Sequence, residues 1–197
     1  MNTYIVTSDR YRWLVPGCVH YYQRIMEHAP IVLCYDDTGL EGFCTVSLGM
    51  ETKHWTTGLR DFFMQKKEKY FLLMLEDYYV QDVDTVAFNE AVKLMEAGAA
   101  KVDLSGDRMN FQHSNHSDKI VLSDQTARYR TSLQSALWNR EYFLKCCQPS
   151  MTAWEFELRG NTERINDGAL IYGVKRPCLK YLNMMRKGVW YAKYDFK

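Results

Sequence analysis

The chain has 197 residues, of which 47% are hydrophobic and 25% are charged, and its formal net charge is +1. These proportions are typical of a globular protein, and the length suffices for one domain with a sizeable core. No stretch approaches the roughly 20 consecutive apolar residues that a membrane-spanning helix needs, so the sequence predicts no membrane span.

The first residues and the cysteines both favour a cytoplasmic protein. The N-terminus has neither the basic segment nor the long apolar core of a signal peptide, and it is typical of a first strand. No cysteine pair has C-x-x-C spacing, so we expect reduced thiols that mostly fill the core. The six cysteines are Cys18, Cys34, Cys44, Cys146, Cys147 and Cys178.

Charge is unevenly spread along the chain. Residues 1–100 hold 9 Lys and Arg against 14 Asp and Glu, whereas residues 101–197 hold 16 against 10. The basic excess concentrates near the C-terminus, interleaved with aromatic residues, in Lys175, Arg176, Lys180, Arg186, Lys187, Lys193 and Lys197. Such a segment suits a phosphate-bearing partner, or it is a solvated tail with its aromatics packed on the body.

The N-terminal third has the pattern of a strand–helix–strand unit. Residues 4–6 form a short apolar strand that breaks at Thr7-Ser8-Asp9, and Pro16 then opens a helix that runs to Glu27. A second apolar strand over residues 31–35 ends in Asp36-Asp37. Polar groups therefore follow both predicted strands.

The run Phe71-Leu72-Leu73-Met74-Leu75 is the clearest strand of the chain. A continuous apolar stretch of this length is typical of a strand buried on both faces of an α/β sheet. Glu76 and Asp77 follow it, at the strand end where such sheets bind ligands. Two adjacent carboxylates there are costly unless a cation or a polyhydroxylated ligand uses them. The alternative is that they merely begin the next loop.

The remaining elements are shorter. We predict an added strand over residues 43–48 and an extended segment over 129–134. Two further strands are predicted over 102–104 and 170–172, and the second of these would be the final strand of the body. Residues 105–118 have no regular pattern. Helices are predicted over 57–67, over 85–97 with Asp84 as its cap, over 140–147, and from Thr152, whose spacing to Glu155 is that of a capping box.

Three segments together resemble a known family. The strand ending LLMLEDYYV, the later TSLQSALWNREYFLKCCQPSMTAWEFE and the opening IVTSDRYRWLVPG resemble small GT-A-type glycosyltransferases, in the nucleotide-diphospho-sugar transferase superfamily of bacteria and phages. The resemblance implies one GT-A-like α/β domain over residues 1–197, with a Rossmann-type, mixed but mainly parallel sheet flanked by helices. Residues 1–104 would be its nucleotide-binding half and 105–197 its acceptor side.

The resemblance also implies which residues bind the nucleotide-sugar donor. They would be Thr7, Ser8, Asp9 and Arg10 after the first strand, Asp36 and Asp37 after the second, and Glu76 and Asp77. A capped turn is the alternative for Thr7 to Asp9. In the family the acids after the central strand bind a divalent metal, so Glu76 and Asp77 would hold Mg²⁺ or Mn²⁺. The second, spaced aspartate of a D-x-D is missing, which leaves metal dependence open.

Two glutamates compete for the role of catalytic base. Glu155 has the capping-box position, where its carboxylate binds the helix start, so the resemblance favours Glu157 as the base. The alternative is that Glu157 is a solvated residue of a short helix. Trp138 and Trp154 would form a stacking floor for the acceptor sugar, or they lie in the core.

The acceptor and the class of function have alternatives. A saccharide hydroxyl is the broader expectation, while Arg186 and Lys187 in the basic, aromatic C-terminal segment favour a hydroxymethylated base in phage DNA. A non-catalytic sugar- or nucleotide-binding module is the alternative from another class. The absence of a P-loop and of G-x-G-x-x-G argues against kinase-like and nicotinamide-dependent enzymes, and His113 with His116 lacks further ligands for zinc.

Overall fold

The computed structural model describes residues 1–35, 39–159, 166–186 and 188–191, without the side chain of Arg186. The helices of the described part are α1 (Val15–Met26), α2 (Trp55–Met64), α3 (Thr85–Glu96), α4 (Arg140–Cys146) and α5 (Ala153–Arg159). None of them is long and apolar enough to cross a membrane.

Most of the strands in the described residues belong to one sheet. These are β1 (Thr3–Ser8), β2 (Ile31–Tyr35), β3 (Thr45–Ser47), β4 (Tyr70–Leu75), β6 (Lys101–Asp103), β7 (His113–Asn115), β8 (Ile120–Ser123), β9 (Ala136–Asn139) and β10 (Ile171–Val174). Their order is β3-β2-β1-β4-β9-β6-β10-β8-β7. The first four strands run parallel, as do β6 and β10, whereas β9 runs antiparallel to both of its neighbours. The mixed α/β sheet flanked by helices is confirmed.

The alternation of side chains in β4 explains why its apolar run is unbroken. Leu72 and Met74 lie in a cluster on one face of the sheet, whereas Phe71 and Leu73 lie in a cluster on the other. The first cluster includes buried residues of α1 and α3, and the second includes buried residues of α2, α4 and α5. Because both faces of the sheet are covered here, β4 has no polar face and its sequence does not alternate between apolar and polar residues.

Two small two-stranded sheets involve the C-terminal segment, and one of them pairs it with the strand that follows the acids. Strand β5 (Tyr78–Val83) pairs antiparallel with β11 (Leu179–Asn183), and β12 (Met185–Arg186) pairs with β13 (Val189–Trp190). The prediction that residues 170–172 form the last strand of the body is therefore wrong. The sequence does not predict strand β5, because this strand follows the acids directly and has no turn signal before it.

The helices lie where they are predicted, with ends that differ by at most three residues. Asp84 caps α3 by accepting from the backbone N–H groups of Val86 and Ala87. The extended segment predicted over residues 129–134 is wrong, because it contains turns and no strand. The supposedly irregular 105–118 contains a 3-10 helix (Asp107–Asn110) and edge strand β7.

Candidate functional site

Glu76 and Asp77 form the turn between β4 and β5, at the carboxyl end of β4. The turn is held from two sides. The Cys18 thiol of α1 donates to the backbone oxygen of Tyr78 at 3.4 Å, and the backbone N–H of Met184 donates to the backbone oxygen of Asp77 at 2.8 Å. Both contacts involve the backbone, so they leave the two carboxylates available for a ligand.

The two carboxyl groups are partly withdrawn from water. Glu76 is only 8% exposed, and burial together with the charge of Asp77 raises the pKa of Glu76 to about 8. Burial raises the pKa of Asp77 to about 6. One Asp77 carboxylate oxygen is buried without a hydrogen-bond partner among the described residues. A cation or a donor-rich ligand would compensate this burial.

A cleft of about 440 Å³ lies along the carboxyl ends of β1, β2 and β4. Of the residues predicted to bind the donor, the structure brings Thr7, Ser8 and Glu76 together in its wall. Trp154, at the start of α5, forms part of the opposite wall and is 61% exposed. The cleft is also lined by residues with no functional signal in the sequence, Tyr11, Tyr35, Thr52, Lys53 and Trp55.

The start of α5 is fixed by the predicted capping box. The Thr152 backbone N–H donates to Glu155 Oε2 at 2.7 Å, and the Glu155 backbone N–H donates to Thr152 Oγ1 at 3.2 Å. These bonds to Thr152 hold the pKa of Glu155 below its ordinary value. Glu155 thus has the structural task that its spacing indicates.

Glu157 lies on the same helix but faces the interior. Its Oε1 accepts from the backbone N–H of Leu133 at 2.7 Å. Burial raises the pKa of Glu157 above its ordinary value, against the lowering effects of that N–H and of Lys101. Burial is the main cause that raises the pKa of Tyr78, followed by Tyr181. The charges of Asp77, Glu157 and Glu76 raise it further, so Glu157 and the two acids of the turn act on the same side chain.

A buried group of charges lies beside Glu157. Lys101 and Asp103 point to the same face of β6, and Lys101 Nζ is 2.6 Å from Asp103 Oδ1. Arg108 Nε is 2.8 Å from the other carboxylate oxygen of Asp103. All three side chains are fully buried or nearly so. Burial lowers the pKa of Lys101, and Asp103 opposes that shift.

The structure corrects the interpretation of Trp138 as an acceptor platform. Its side chain is fully buried, and its ring lies 5.1 Å from Phe143 and 5.9 Å from Phe156 between ring centroids. Lys101 Nζ is 4.7 Å from the centre of the same ring. Trp138 is a core residue, and no sugar can reach it.

The remaining predicted donor residues are scattered. Asp9 lies beside the cleft in a shallow recess that it shares with Thr7 and Ser8, and it forms a 3.7 Å ion pair with Arg12. Arg10 is exposed, with its guanidinium 5.2 Å from the centre of the Tyr11 ring. Asp36, Asp37, Lys187 and the side chain of Arg186 lie outside the described residues.

The described cations of the C-terminal segment lie at the other end of β5 from the acids. Lys180 pairs with Asp82 at 2.7 Å. Lys175 and Arg176 line a depression with Asp84 and Asp118. Six strand residues separate Asp77 from Asp84, which corresponds to roughly 20 Å at about 3.3 Å per residue.

No group of three or more His, Cys, Asp or Glu side chains within residues 1–35, 39–159, 166–186 and 188–191 is arranged to hold a metal ion. Asp82 and Asp84, the nearest further acids in the sequence, pair with Lys180 and Lys119 respectively. Glu76 and Asp77, by contrast, have no ion pair among the described residues.

Known structures share this architecture. The structure of residues 1–349 of S. aureus TarS in complex with UDP-GlcNAc matches with a TM-score of 0.63 at 9% identity, over 100% of this chain and 62% of that one. The same TarS segment in complex with UDP matches with a TM-score of 0.60 at 10% identity, over 92% of this chain and 59% of that one. The chain has a GT-A-like fold.

The fold that the resemblance implies is confirmed by these matches. The chain spans about three fifths of the TarS chains that it matches. No family model and no curated protein sequence matches it.

The sequence contains a signal for the buried charges. Lys101 and Asp103 alternate with Val102 between Ala99-Ala100 and Leu104, so two opposite charges fall on one face of a short strand. Such a pattern inside an apolar sheet indicates a buried ion pair. The aromatic cleft residues Tyr11, Tyr35 and Trp55 have no comparable signal, because core aromatics look the same.

Proposed function

We propose that this chain is a glycosyltransferase that moves a sugar from a nucleotide-sugar donor to an acceptor hydroxyl. The observation that carries the proposal is the cleft at the carboxyl ends of β1, β2 and β4, which joins Thr7 and Ser8 to Glu76. Ligands of such sheets bind at this edge. The match in fold to TarS structures that contain UDP and UDP-GlcNAc supports a nucleotide-sugar as the ligand.

The donor would bind with its nucleotide near Thr7 and Ser8 and its diphosphate towards the acidic turn. A divalent cation, Mn²⁺ or Mg²⁺, would be held by Asp77 and Glu76, whose buried oxygens suit a hard ion. When bound, the cation would supply positive charge next to the departing diphosphate. Both carboxyl groups have raised pKa values, so binding of a cation there would release protons.

Glu157 is the proposed base. During transfer the bond between the sugar and the diphosphate oxygen breaks, the acceptor oxygen bonds to the sugar carbon, and the acceptor proton moves to Glu157. A carboxylate with a raised pKa holds that proton better than an ordinary one, which favours the transfer. The Leu133 N–H fixes one oxygen of the carboxylate and leaves the other for the acceptor.

A saccharide is the proposed acceptor. Trp154 presents a largely exposed ring in the cleft, and Trp13 and Trp190 form an exposed pair 5.4 Å apart. Gly188, next to that pair, lies beside Tyr11 of the cleft. Indole rings suit the apolar face of a sugar. The described cations Lys175, Arg176 and Lys180, which a DNA acceptor would use, lie far from the acids.

The test is a thermal-shift series with UDP and UDP-GlcNAc, with and without Mn²⁺. Binding at 100 times Kd stabilises a native protein by about 2.7 kcal/mol, so a clear rise in Tm is expected. Asp77→Asn should lose the increment that Mn²⁺ adds, whereas Asp82→Asn, with an exposed carboxylate outside the cleft, should keep it. If no nucleotide raises Tm in any metal, the proposed donor is wrong.

Turnover separates an enzyme from a binding module of the same fold. UDP release from UDP-GlcNAc should depend on an added acceptor, offered as simple glycosides and as hydroxymethylated DNA duplex. The double variant Arg186→Ala/Lys187→Ala should leave transfer to glycosides nearly unchanged. Modification of the duplex, with binding that weakens steeply as salt rises, would favour the DNA acceptor instead.

A further inference from the structure

A single peptide group connects a buried cation to the proposed base. Lys101 Nζ donates to the backbone oxygen of Ser132 at 2.7 Å, and the backbone N–H of Leu133 donates to Glu157 Oε1 at 2.7 Å. The Ser132 carbonyl and the Leu133 N–H belong to the same peptide group. A cation therefore binds its oxygen while a carboxylate binds its N–H.

Such an arrangement strengthens both hydrogen bonds. A cation at the carbonyl oxygen polarises the peptide group, and its N–H becomes a better donor to the carboxylate. The segment is also tied to α5 a second time, because Thr131 Oγ1 donates to the backbone oxygen of Phe156 at 2.8 Å. The position of the Glu157 carboxylate thus depends on the segment that Lys101 holds.

One buried cation opposes the burial that raises the pKa of Glu157. Lys101 and Arg108 share Asp103, so two cations face one anion in the group. The charged groups whose fields reach Glu157 are Lys101, which favours its ionised form, and Asp107 and Asp103, which oppose it. Tyr78 is the neutral titratable group nearby. Lys101 is therefore the cation that stabilises the charge on this base.

Stability alone does not account for a lysine at this place. Removing an ammonium group from water is costly, and well-packed apolar residues often replace buried ion pairs without loss. Lys101 has 0% of its side chain exposed and occupies the centre of the sheet, between β9 and β10. A role in the site gives a reason for the charge.

We propose that Lys101 is a positioning residue for Glu157: through the Ser132–Leu133 peptide group it holds the carboxylate and favours its ionised form. The inference rests on the proposed function for its catalytic meaning, but the coupling itself is testable without activity. In the native protein the Lys101 Nζ and Leu133 amide resonances should both shift with the titration of the Glu157 carboxyl group. Glu157→Gln should abolish both shifts.

The kinetic test compares two variants that each remove one buried cation. Lys101→Met should move the acidic limb of the pH–kcat/KM profile upward by about 1 unit, since a nearby opposite charge shifts a pKa by about 1–3 units. Arg108→Met removes the same charge from the group but leaves the Lys101–Ser132 bond, so its limb should move less. The stability of both variants is measured as Tm. If Lys101→Met does not fold, the resonance measurement on the native protein tests the coupling instead.

The outcomes separate the inference from the proposed function. The coupling is overturned if the Lys101 and Leu133 resonances do not shift with the titration of Glu157. Equal shifts of the acidic limb of the pH profile in the two variants would also overturn it. Full transfer by Glu157→Gln would instead overturn the base assignment, and with it the catalytic meaning of Lys101, whatever the resonances do. Loss of transfer in Glu157→Gln together with coupled resonances supports both.

Discussion

Thr152 and Glu155 bind each other in both directions at the start of α5, each accepting a hydrogen bond from the backbone N–H of the other. Two residues further on, Glu157 turns to the interior and accepts from Leu133. Two glutamates of one short helix therefore make separate contacts, one within the helix cap and one to the backbone of Leu133.

We expect the two glutamates to respond differently to the same substitution. Glu155→Gln should keep most of the transfer activity and lose little stability, because glutamine also serves in a capping box. Glu157→Gln should lower turnover on the order of 10²–10⁴, the usual contribution of a general base. Steady-state kinetics and Tm are the measurements. Equal and small effects would contradict the assignment, and the reverse pattern would give the role of base to Glu155.

Asp77→Asn should abolish transfer while the fold remains intact. The side chain keeps its size and loses one charge, and the turn itself is held through the backbone oxygen of Asp77, which the substitution does not alter. The measurements are UDP release and Tm, with Asp82→Asn as the control for an exposed carboxylate away from the acidic turn. Full activity in the Asp77 variant would remove this residue from the mechanism.

In metal-free buffer with EDTA, the protein should lose stability as pH rises from about 4.5 to about 8. Glu76 has its pKa raised to about 8, so over this range the folded state keeps a proton that the unfolded state has released. Each unit of such a shift corresponds to about 1.4 kcal/mol. Chemical unfolding at several pH values measures the slope, which Glu76→Gln should flatten. An unchanged slope in that variant would show that Glu76 does not titrate in this way.

Trp138 and Trp154 have the same sequence-based interpretation, but their substitution by alanine should have different effects. Trp138→Ala should cost about 3–5 kcal/mol of stability, because it empties a fully buried site in the core. Trp154→Ala should change stability by less than about 0.5 kcal/mol and weaken transfer through the KM for the acceptor. Urea unfolding and acceptor titrations check the pair. A Trp154 variant with native kinetics would take that ring out of the acceptor site.

The central strand and its acids could be predicted because a strand buried on both faces leaves an unbroken apolar run with a sharp end. Caps could be predicted for the same local reason, as at Asp84 and at Thr152. Strand β5 could not, because it begins immediately after Asp77 and its partner β11 is distant in the sequence. Pairing at long range has no local pattern.

The site was harder to predict than the fold. Exposure separates Trp154 from Trp138, and exposure depends on how α5 and β9 pack, which composition does not reveal. The link between Lys101 and Glu157 depends on the direction of one peptide group in a turn, at residues that the sequence predicted to be extended. Glu76 and Asp77 are candidates because carboxylates at a strand end suit a ligand, and Glu157 is a candidate through the family resemblance; where the three side chains lie in space could not be read from the sequence.

The pairing of β5 with β11 has a consequence for how the protein forms during synthesis. Asp82 and Lys180 meet across a separation of 98 residues, and the backbone N–H that holds the acidic turn comes from Met184. When β4 and the acids leave the ribosome, that partner has not yet been translated. Loop closure over such a distance is slow compared with helix formation. The acidic turn is therefore completed only after Met184 has been translated, and chains that stop before β11 carry the acids without their support.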